Sequence, residues 1–165
     1  MKEKIKHYIK ELLYFVIFLT LITNIMSIYK SQELNSAPLQ IKTLQLLDGS
    51  NYKIEDKKPL LIHFWATWCP TCKLEASNID FIAKHFNVVT IAVDSGSKKE
   101  IEKYLQENGY TFKVVNDAQS ILSSLFHIAG FPTTFIYDKN KKLIFSEVGY
   151  TSIIGLYLRM WWAEL

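Results

Sequence analysis

The chain has 165 residues, of which 49% are hydrophobic and 14% aromatic, and it carries a formal net charge of +3. This length allows one packed domain and little more. The first 29 positions hold four lysines and two acidic residues, so the remainder, with 15 basic and 14 acidic residues, is nearly neutral. The basic excess therefore gives no reason to expect a nucleic-acid-binding face.

An uncharged apolar segment occupies residues 12–29. At about 1.5 Å per residue a helix of this length nearly crosses a ~30 Å hydrocarbon core, although Asn24 weakens the signal. Four lysines precede the segment and only Lys30 follows closely, which places the N-terminus in the cytoplasm and the remainder outside. We predict a cytoplasmic N-terminus at 1–11, a transmembrane anchor at 12–29, a linker at 30–38 and one domain at 39–165.

A cleaved signal peptide is the alternative interpretation of this segment, since it also combines a basic start with an apolar stretch. The segment is long for a signal peptide, and Asn35-Ser36-Ala37 is a poor cleavage site. Both interpretations place the domain on the oxidising side of the membrane, where disulfides persist.

The domain shows an alternation of strand and helix patterns. An Asp-Gly turn within 44–52 predicts a hairpin. The runs at 60–65 and 87–93 are apolar apart from His63, Asn87 and Thr90, which is typical of strands buried on both faces of a mainly parallel sheet. Spacing and composition predict the other elements: helices at 70–86, 97–107, 118–126 and 153–162, and strands at 111–115, 133–137 and 142–146.

The last of these helices has Ile153, Tyr157 and Trp161 at four-residue spacing. Such spacing places the three side chains on one face. We predict that this face packs against the core; contact of its aromatic side chains with a lipid interface is the alternative.

The two cysteines of the chain, Cys69 and Cys72, are separated by Pro70 and Thr71 where a strand pattern gives way to a helix pattern. Any intramolecular disulfide must join them, and so short a loop gains little entropic stabilisation, so the pair is predicted to react rather than to stabilise. At a helix N-terminus, unpaired N–H groups and the helix dipole favour a thiolate. Cys69 is therefore the predicted attacking sulfur, and Cys72, nearly one turn inside the helix, the resolving sulfur.

A zinc site is the competing interpretation of the cysteine pair. Zinc takes about four ligands at fixed spacing. The chain offers four scattered histidines, His7, His63, His85 and His127. We therefore favour redox chemistry and predict no metal site.

Two strings carry a resemblance to thioredoxin-fold proteins: Phe-Trp-Ala-Thr-Trp-Cys-Pro-Thr-Cys at 64–72 and Gly-Phe-Pro-Thr at 130–133. The pattern Trp-Cys-x-x-Cys-x-x-Glu, ending at Glu75, resembles the membrane-anchored TlpA/ResA/DsbE branch, and Leu-Tyr-Leu-Arg-Met-Trp-Trp near the C-terminus resembles its ScsD-like members. The resemblance covers residues 39–165. It implies an α/β thioredoxin fold with an N-terminal β-hairpin and a central helix-strand insertion, here preceded by one transmembrane helix.

The resemblance also implies roles for residues outside the cysteine motif. Pro132 is expected to be a cis proline that faces the cysteines, and Phe131 to offer its backbone to a substrate strand. An ordinary loop turn is the alternative. Phe131 departs from the smaller aliphatic residue or threonine that the family often has there. Trp68 is expected to shield the sulfurs.

Two titratable residues are candidates for proton transfer. Glu75 lies three residues after Cys72 on the same helix face, where partial burial would raise its pKa and let it exchange protons with the inner thiol; a surface glutamate is the alternative. His63 stands six residues before Cys69, where thioredoxins carry a buried acid. It is either a proton acceptor near Cys72 or a hydrogen-bonded core residue.

The resemblance implies a protein thiol-disulfide oxidoreductase that needs no bound cofactor. Cys69 attacks or is attacked, a mixed disulfide with a protein substrate forms, and Cys72 resolves it. The favoured direction is reduction, with electrons from a membrane carrier of the DsbD/CcdA type, in cytochrome c maturation or in repair of oxidised or copper-stressed proteins. An oxidant of folding proteins, a copper-binding chaperone and a thiol peroxidase stay open as alternatives.

Overall fold

The structure, a computed structural model, describes residues 2–31, 34–35 and 37–165. Helices and strands alternate along the domain as the sequence predicts. The elements are α1 (Lys2–Ser31), β1 (Thr43–Gln45), β2 (Asn51–Lys53), β3 (Leu60–Trp65), α2 (Pro70–Ala83), β4 (Val88–Val93), α3 (Lys98–Asn108), β5 (Val114–Asp117), α4 (Ile121–Leu125), β6 (Thr133–Tyr137), β7 (Leu143–Val148) and α5 (Ile153–Glu164).

A five-stranded mixed sheet in the order β5-β4-β3-β6-β7 forms the centre of the domain. Strands β3, β4 and β5 are parallel, and β6 runs antiparallel to both β3 and β7. Every residue of β3 and β4 is buried, including His63 and Thr90, as the largely apolar sequences of these strands predict. The separate β1-β2 hairpin is also confirmed, with Gly49 in its turn at φ 93°.

Each face of the sheet carries its own apolar core. On one face, α2, α3 and α5 contribute Ile79, Ile101 and Leu156 to a cluster that includes both cysteines. On the other face, α4 and the hairpin cover the sheet, with Phe126 and Tyr52 among the buried side chains. The cysteine pair therefore belongs to the more helix-rich face of the domain.

Two boundaries differ from the predicted ones because buried carboxylates hold nearby backbone groups. Strand β5 begins three residues later than predicted, since the N–H and hydroxyl of Thr111 donate to Asp80 Oδ1 of α2, at 2.6 and 3.0 Å. Helix α4 is shorter than predicted because the Asp117 carboxylate accepts from the N–H groups of Leu122 and Ser123, after a left-handed Ser120. Helix α2 ends at Ala83 rather than at residue 86.

The predicted core face of α5 is wrong. Its buried residues are Leu156, Met160 and Ala163, whereas Tyr157 and Trp161 are 42% and 52% exposed. The solvent side of the helix is also apolar, so four-residue spacing alone could not identify the buried side. We call this side the outer face of α5; it consists of Ile154, Tyr157, Leu158, Trp161, Trp162 and Leu165.

Helix α1 contains the predicted apolar segment. Within the described residues it is the one helix long and apolar enough to cross a membrane, from Lys6 to Ser27. The predicted linker at 30–38 begins inside α1, and its residues 32, 33 and 36 lie outside the described ranges. Leu34 is already buried in the domain, and the N–H of Asn35 donates to Phe126 O at 3.2 Å. The chain therefore joins the domain earlier than residue 39.

Candidate active site

The cysteine pair lies at the N-terminus of α2, as predicted. Cys69 is the N-cap, with an extended backbone, and Pro70 occupies the first helical position, where a missing N–H costs no helical hydrogen bond. The two sulfurs form a disulfide, with a Cα–Cα distance of 5.3 Å. Cys69 Sγ accepts a hydrogen bond from the N–H of Cys72 at 3.2 Å, which is the interaction that stabilises a thiolate once the disulfide opens.

A shallow groove leads to Cys69. Both cysteines are nearly buried, with exposed fractions of 5% for Cys69 and 2% for Cys72. Only Cys69 contributes to the groove wall, so it is the sulfur that a partner reaches first. The groove is lined by Trp68, Cys69, Pro70, Thr71, Ile128, Ala129, Gly130 and Phe131.

The opposite wall contains the Phe131-Pro132 peptide bond, which is cis, as predicted. The Phe131 ring meets the Trp68 ring edge-on, with centroids 5.7 Å apart. Trp68 Nε1 donates to Asp94 O at 2.9 Å, which fixes the indole beside the groove. Trp68 is 57% exposed and therefore forms the rim of the groove instead of covering the sulfurs completely.

Glu75 is fully buried one turn after Cys72. Its Oε1 accepts from the N–H of Thr151 at 3.1 Å, and its Oε2 has no hydrogen-bond partner within the described residues. The pKa of Glu75 is raised to about 8, chiefly by burial; the Thr151 hydrogen bond opposes this rise, and the charge of Glu147 contributes to it. The predicted rise in pKa is confirmed, and burial is more complete than expected.

Three residues that the sequence did not single out surround Glu75. Glu147 at the end of β7 accepts from the hydroxyl of Thr151 at 2.7 Å and pairs with Arg159 of α5. Thr151 lies 76 residues after Glu75 in the chain. No local motif marks these three residues, because only the packing of α5 against α2 brings them to the carboxylate.

His63 lies on β3, on the same face of the sheet as the cysteines. Its alternate neighbours Leu61 and Trp65 belong to the core cluster that contains the pair. His63 Nδ1 lies 2.9 Å from Thr134 Oγ1, and burial lowers the pKa of His63 to about 3. This geometry fits a neutral, hydrogen-bonded core residue.

The other histidines do not gather at the pair. His85 Nδ1 lies 2.8 Å from Phe81 O at the far end of α2, and His127 follows α4. Across residues 2–31, 34–35 and 37–165, no three His, Cys, Asp or Glu side chains cluster as metal ligands.

The arrangement suits thiol-disulfide exchange. The N–H groups at the start of α2 favour negative charge on Cys69. A carboxyl with a pKa near 8 lies close in proton affinity to an ordinary thiol, whose pKa is about 8.5. A proton can therefore pass between such a pair with little free-energy cost in either direction.

Comparison with known proteins agrees with this geometry. Residues 35–146 match the model of the AhpC/TSA family. A thioredoxin-like protein of Haemophilus influenzae is 35% identical over 126 residues, which cover 74% of this chain and 75% of that protein. The thiol-disulfide oxidoreductase ResA of Geobacillus kaustophilus is 33% identical over 100 residues, 57% of this chain and 58% of that protein, so the match covers less than two thirds of ResA.

The fold is also that of solved structures. The crystal structure of StoA from Bacillus subtilis superposes with a TM-score of 0.64 at 22% identity, covering 74% of this chain and 96% of that one. The predicted thioredoxin fold, with its hairpin and its α3-β5 insertion, is thereby confirmed. The chain belongs to the AhpC/TSA family and is a thioredoxin-like thiol-disulfide oxidoreductase, similar to ResA.

Proposed function

We propose that this oxidoreductase is a membrane-anchored reductase of protein disulfides on the outer side of the bacterial inner membrane. The observation that supports it best is the pairing of a groove-lining Cys69 with a Cys72 that is followed, one turn later, by the buried Glu75. Reduction as the direction rests on the resemblance to the TlpA/ResA/DsbE branch. The tasks that fit it are cytochrome c maturation and repair of oxidised or copper-stressed proteins.

The proposed cycle starts from the reduced pair. The Cys69 thiolate attacks a substrate disulfide, and the departing substrate sulfur leaves as a thiolate that takes up a proton. Glu75 in its ionised form, which is the minor form below pH 8, accepts the proton of Cys72, whose sulfur then attacks Cys69 Sγ. The second substrate sulfur leaves, the Cys69–Cys72 disulfide forms, and two electrons have passed to the substrate.

Phe131 and Pro132 are proposed to hold the substrate during this exchange. Phe131 lines the groove next to Cys69, and the buried Pro132 follows it through the cis bond; an extended substrate segment would pass between the Trp68 rim and Phe131. Thr71 and Pro70 line the same groove and are proposed to contribute to the fit of the substrate. His63 is proposed to support the site from the core as a neutral residue.

Helix α1 bears on two parts of the proposal: the side of the membrane on which the domain lies, and the source of the electrons that reduce the Cys69–Cys72 disulfide again. We propose that α1 anchors the chain with residues 1–11 in the cytoplasm and the domain outside, because lysines dominate the N-terminal flank. An oxidised pair outside the cytoplasm needs a donor that crosses the membrane. A carrier of the DsbD/CcdA type would supply the two electrons by the same mixed-disulfide route.

The reduction potential of the Cys69–Cys72 couple, measured together with its redox state in cells, tests the direction. A value near −270 mV, the range of thioredoxin, with a reduced pair in cells is the expected result. A value near −120 mV, the range of DsbA, with an oxidised pair would make the protein an oxidant instead. A Cys72→Ala variant would then trap substrates on Cys69 as mixed disulfides and identify them.

Two further assays separate this proposal from other classes. Purified reduced protein should reduce insulin and should bind Cu(I) only weakly. Tight stoichiometric Cu(I) binding without insulin reduction would identify a copper chaperone. Turnover of hydrogen peroxide in place of insulin would identify a thiol peroxidase.

A further inference from the structure

The outer face of α5 is an apolar surface that the described residues of the domain leave largely uncovered. Its six large side chains are between 42% and 72% exposed. The opposite side of the helix fills the core, so α5 is apolar around most of its circumference. Helices of this kind are normally covered on both sides, and apolar patches of this kind on soluble domains mark interaction sites.

The composition of this surface matches a membrane interface. It contains two tryptophans and a tyrosine, the residues that concentrate at the level of lipid headgroups. The ring of Tyr157 packs against Phe86, with centroids 5.2 Å apart, and Phe81 of α2 extends the patch with 40% exposure. At the helix end, Lys139 Nζ donates to Leu165 O at 3.3 Å.

The exposed lysines around the patch give it a basic border. They are Lys84, which follows Phe81 closely in the chain, and Lys139 at the end of α5, against Glu164 as the one acidic residue of α5. Lys84 pairs with Asp80 but is itself 56% exposed. Long cationic side chains beside an apolar patch favour anionic headgroups.

The chain itself holds the domain close to a bilayer. Helix α1 ends at Ser31, and Leu34 is already buried in the domain, so the connection has only residues 32 and 33 between them. Three residue steps reach at most about 11 Å. If α1 crosses the membrane, the domain must rest against the lipid surface, because Met26 and Ser27 at the end of the apolar segment already line a cavity with residues of the domain.

Helix α5 lies on the side of the domain that α1 approaches. The N–H of Val148 donates to Ser27 Oγ at 3.2 Å. Met26 and Ser27 of α1 line one cavity together with Gly155 and Arg159 of α5. The membrane helix and α5 are therefore neighbours.

We propose that the outer face of α5 docks on the lipid bilayer, with its aromatic side chains at the headgroup level. This inference rests on the proposed anchor and goes beyond it, because it specifies which surface meets the membrane. The end of α5 lies beside the β6-β7 turn through Lys139. Strand β6 starts directly after Pro132, next to the cysteines, and ends at that turn, about 17 Å away for five residues. The cysteine groove therefore lies near the other end of β6 from that turn.

Quenching of tryptophan fluorescence by brominated lipids tests the proposal on the full chain. The protein is reconstituted at one copy per nanodisc in phosphatidylcholine and phosphatidylglycerol, with and without bromine on the acyl chains. We expect strong bromine-dependent quenching in the native chain and loss of most of it in the W161F/W162F variant. The remaining tryptophans are Trp65, which is buried in the core, and Trp68 at the cysteine groove.

A matched control places a tryptophan on another exposed apolar position. Ile121 on α4 is 67% exposed, and I121W in the W161F/W162F background should not restore the quenching. Retained quenching in W161F/W162F, or its restoration by I121W, would show that another surface meets the lipid and would overturn the proposal. Absence of quenching in the native chain would overturn it as well, and one copy per disc prevents a second chain from covering the face.

Failure of the anchor gives a different result from failure of the docking. A chain that alkaline carbonate extracts from membranes has no anchor, and both proposals fall. A chain that resists extraction but shows no quenching keeps the anchor and loses only the docking. Insulin reduction by W161F/W162F and its helical circular dichroism confirm that the variant is folded.

Discussion

Two buried titratable side chains lie near the cysteine pair, and burial makes both neutral around pH 7 by opposite routes. Glu75 of α2 holds its proton because its pKa rises to about 8, whereas His63 of β3 loses its proton because its pKa falls to about 3. Only the glutamate has a pKa near that of a thiol. Of the two side chains, only Glu75 has a buried polar atom, Oε2, without a hydrogen-bond partner within the described residues.

The difference indicates that the helix side and the strand side of the pair do different work. We propose that the buried carboxyl of Glu75, which keeps a spare oxygen one turn from Cys72, exchanges protons during the reaction. An imidazole bonded to Thr134 and held neutral across the physiological range cannot usefully do so. Variants of Glu75 and His63 test whether the two side chains differ in this way.

The largest expected effect is on the pH dependence of stability through Glu75. Its folded-state pKa of about 8 lies above the ordinary 4.5, so between these values the folded state keeps a proton that the unfolded state loses. Stability should therefore fall as pH rises from 4.5 to 8, by at most about 5 kcal/mol relative to Glu75→Gln. Urea unfolding at several pH values measures the difference. Glu102→Gln on the exposed side of α3 is the control, and parallel curves for wild type and Glu75→Gln would contradict the prediction.

His63 should produce the opposite slope on the acid side. Its folded-state pKa of about 3 lies below the ordinary 6.5, so the unfolded state binds a proton first as pH falls. Relative to His63→Asn, the wild type should lose about 3 kcal/mol between pH 6.5 and 4.5. The same unfolding series measures it, with exposed His127→Asn as the matched loss of one imidazole. Equal acid sensitivity of wild type and His63→Asn would remove the distinction between the two buried groups.

In catalysis the two variants should differ in kind. Glu75→Gln removes a proton acceptor, and we expect the rate of insulin reduction to fall about 100-fold and its pH dependence near 8 to disappear. His63→Asn should lower the rate far less and leave the shape of the pH profile unchanged. If His63→Asn instead alters the profile and Glu75→Gln does not, the proton route runs through the strand and not the helix.

The smallest expected effect concerns the charges behind Glu75. Arg159 pairs with Glu147, whose charge raises the pKa of Glu75. Arg159→Met should leave Glu147 uncompensated and move the limb of the rate profile near pH 8 upward by about one unit or less. Arg159→Lys should restore most of the native profile. A profile that stays fixed in both variants would show that Glu147 does not influence the reaction.

Local motifs were sufficient to predict the attacking end of the site. The strand-to-helix transition placed Cys69 at a helix N-terminus, and Gly-Phe-Pro-Thr at 130–133 placed a cis proline opposite it; both are confirmed. The environment of Glu75 could not be predicted in this way. Its neighbours Glu147, Thr151 and Arg159 reach it only after β7 and α5 pack against α2.

Helix α5 shows a second limit of sequence patterns. A helix that is apolar around most of its surface offers several four-residue series, and only tertiary contacts select Leu156, Met160 and Ala163 as the core side. The predicted bounds of β5 and α4 were wrong because carboxylates accept from nearby backbone N–H groups: Asp80 from Thr111 of a distant segment, and Asp117 from residues five and six positions along the chain. The bounds of the long apolar strands β3 and β4 agree with the predicted ones to within one residue.

Strand β7 is at the edge of the sheet, and α1 lies along it, with the N–H of Val148 donating to Ser27 Oγ. An uncovered edge strand offers free backbone groups to any other extended chain. A soluble version of the domain made by removing residues 2–31 would expose this edge. Such a truncated protein is expected to self-associate through β7, so α1 protects the folded domain against aggregation as well as carrying the apolar segment.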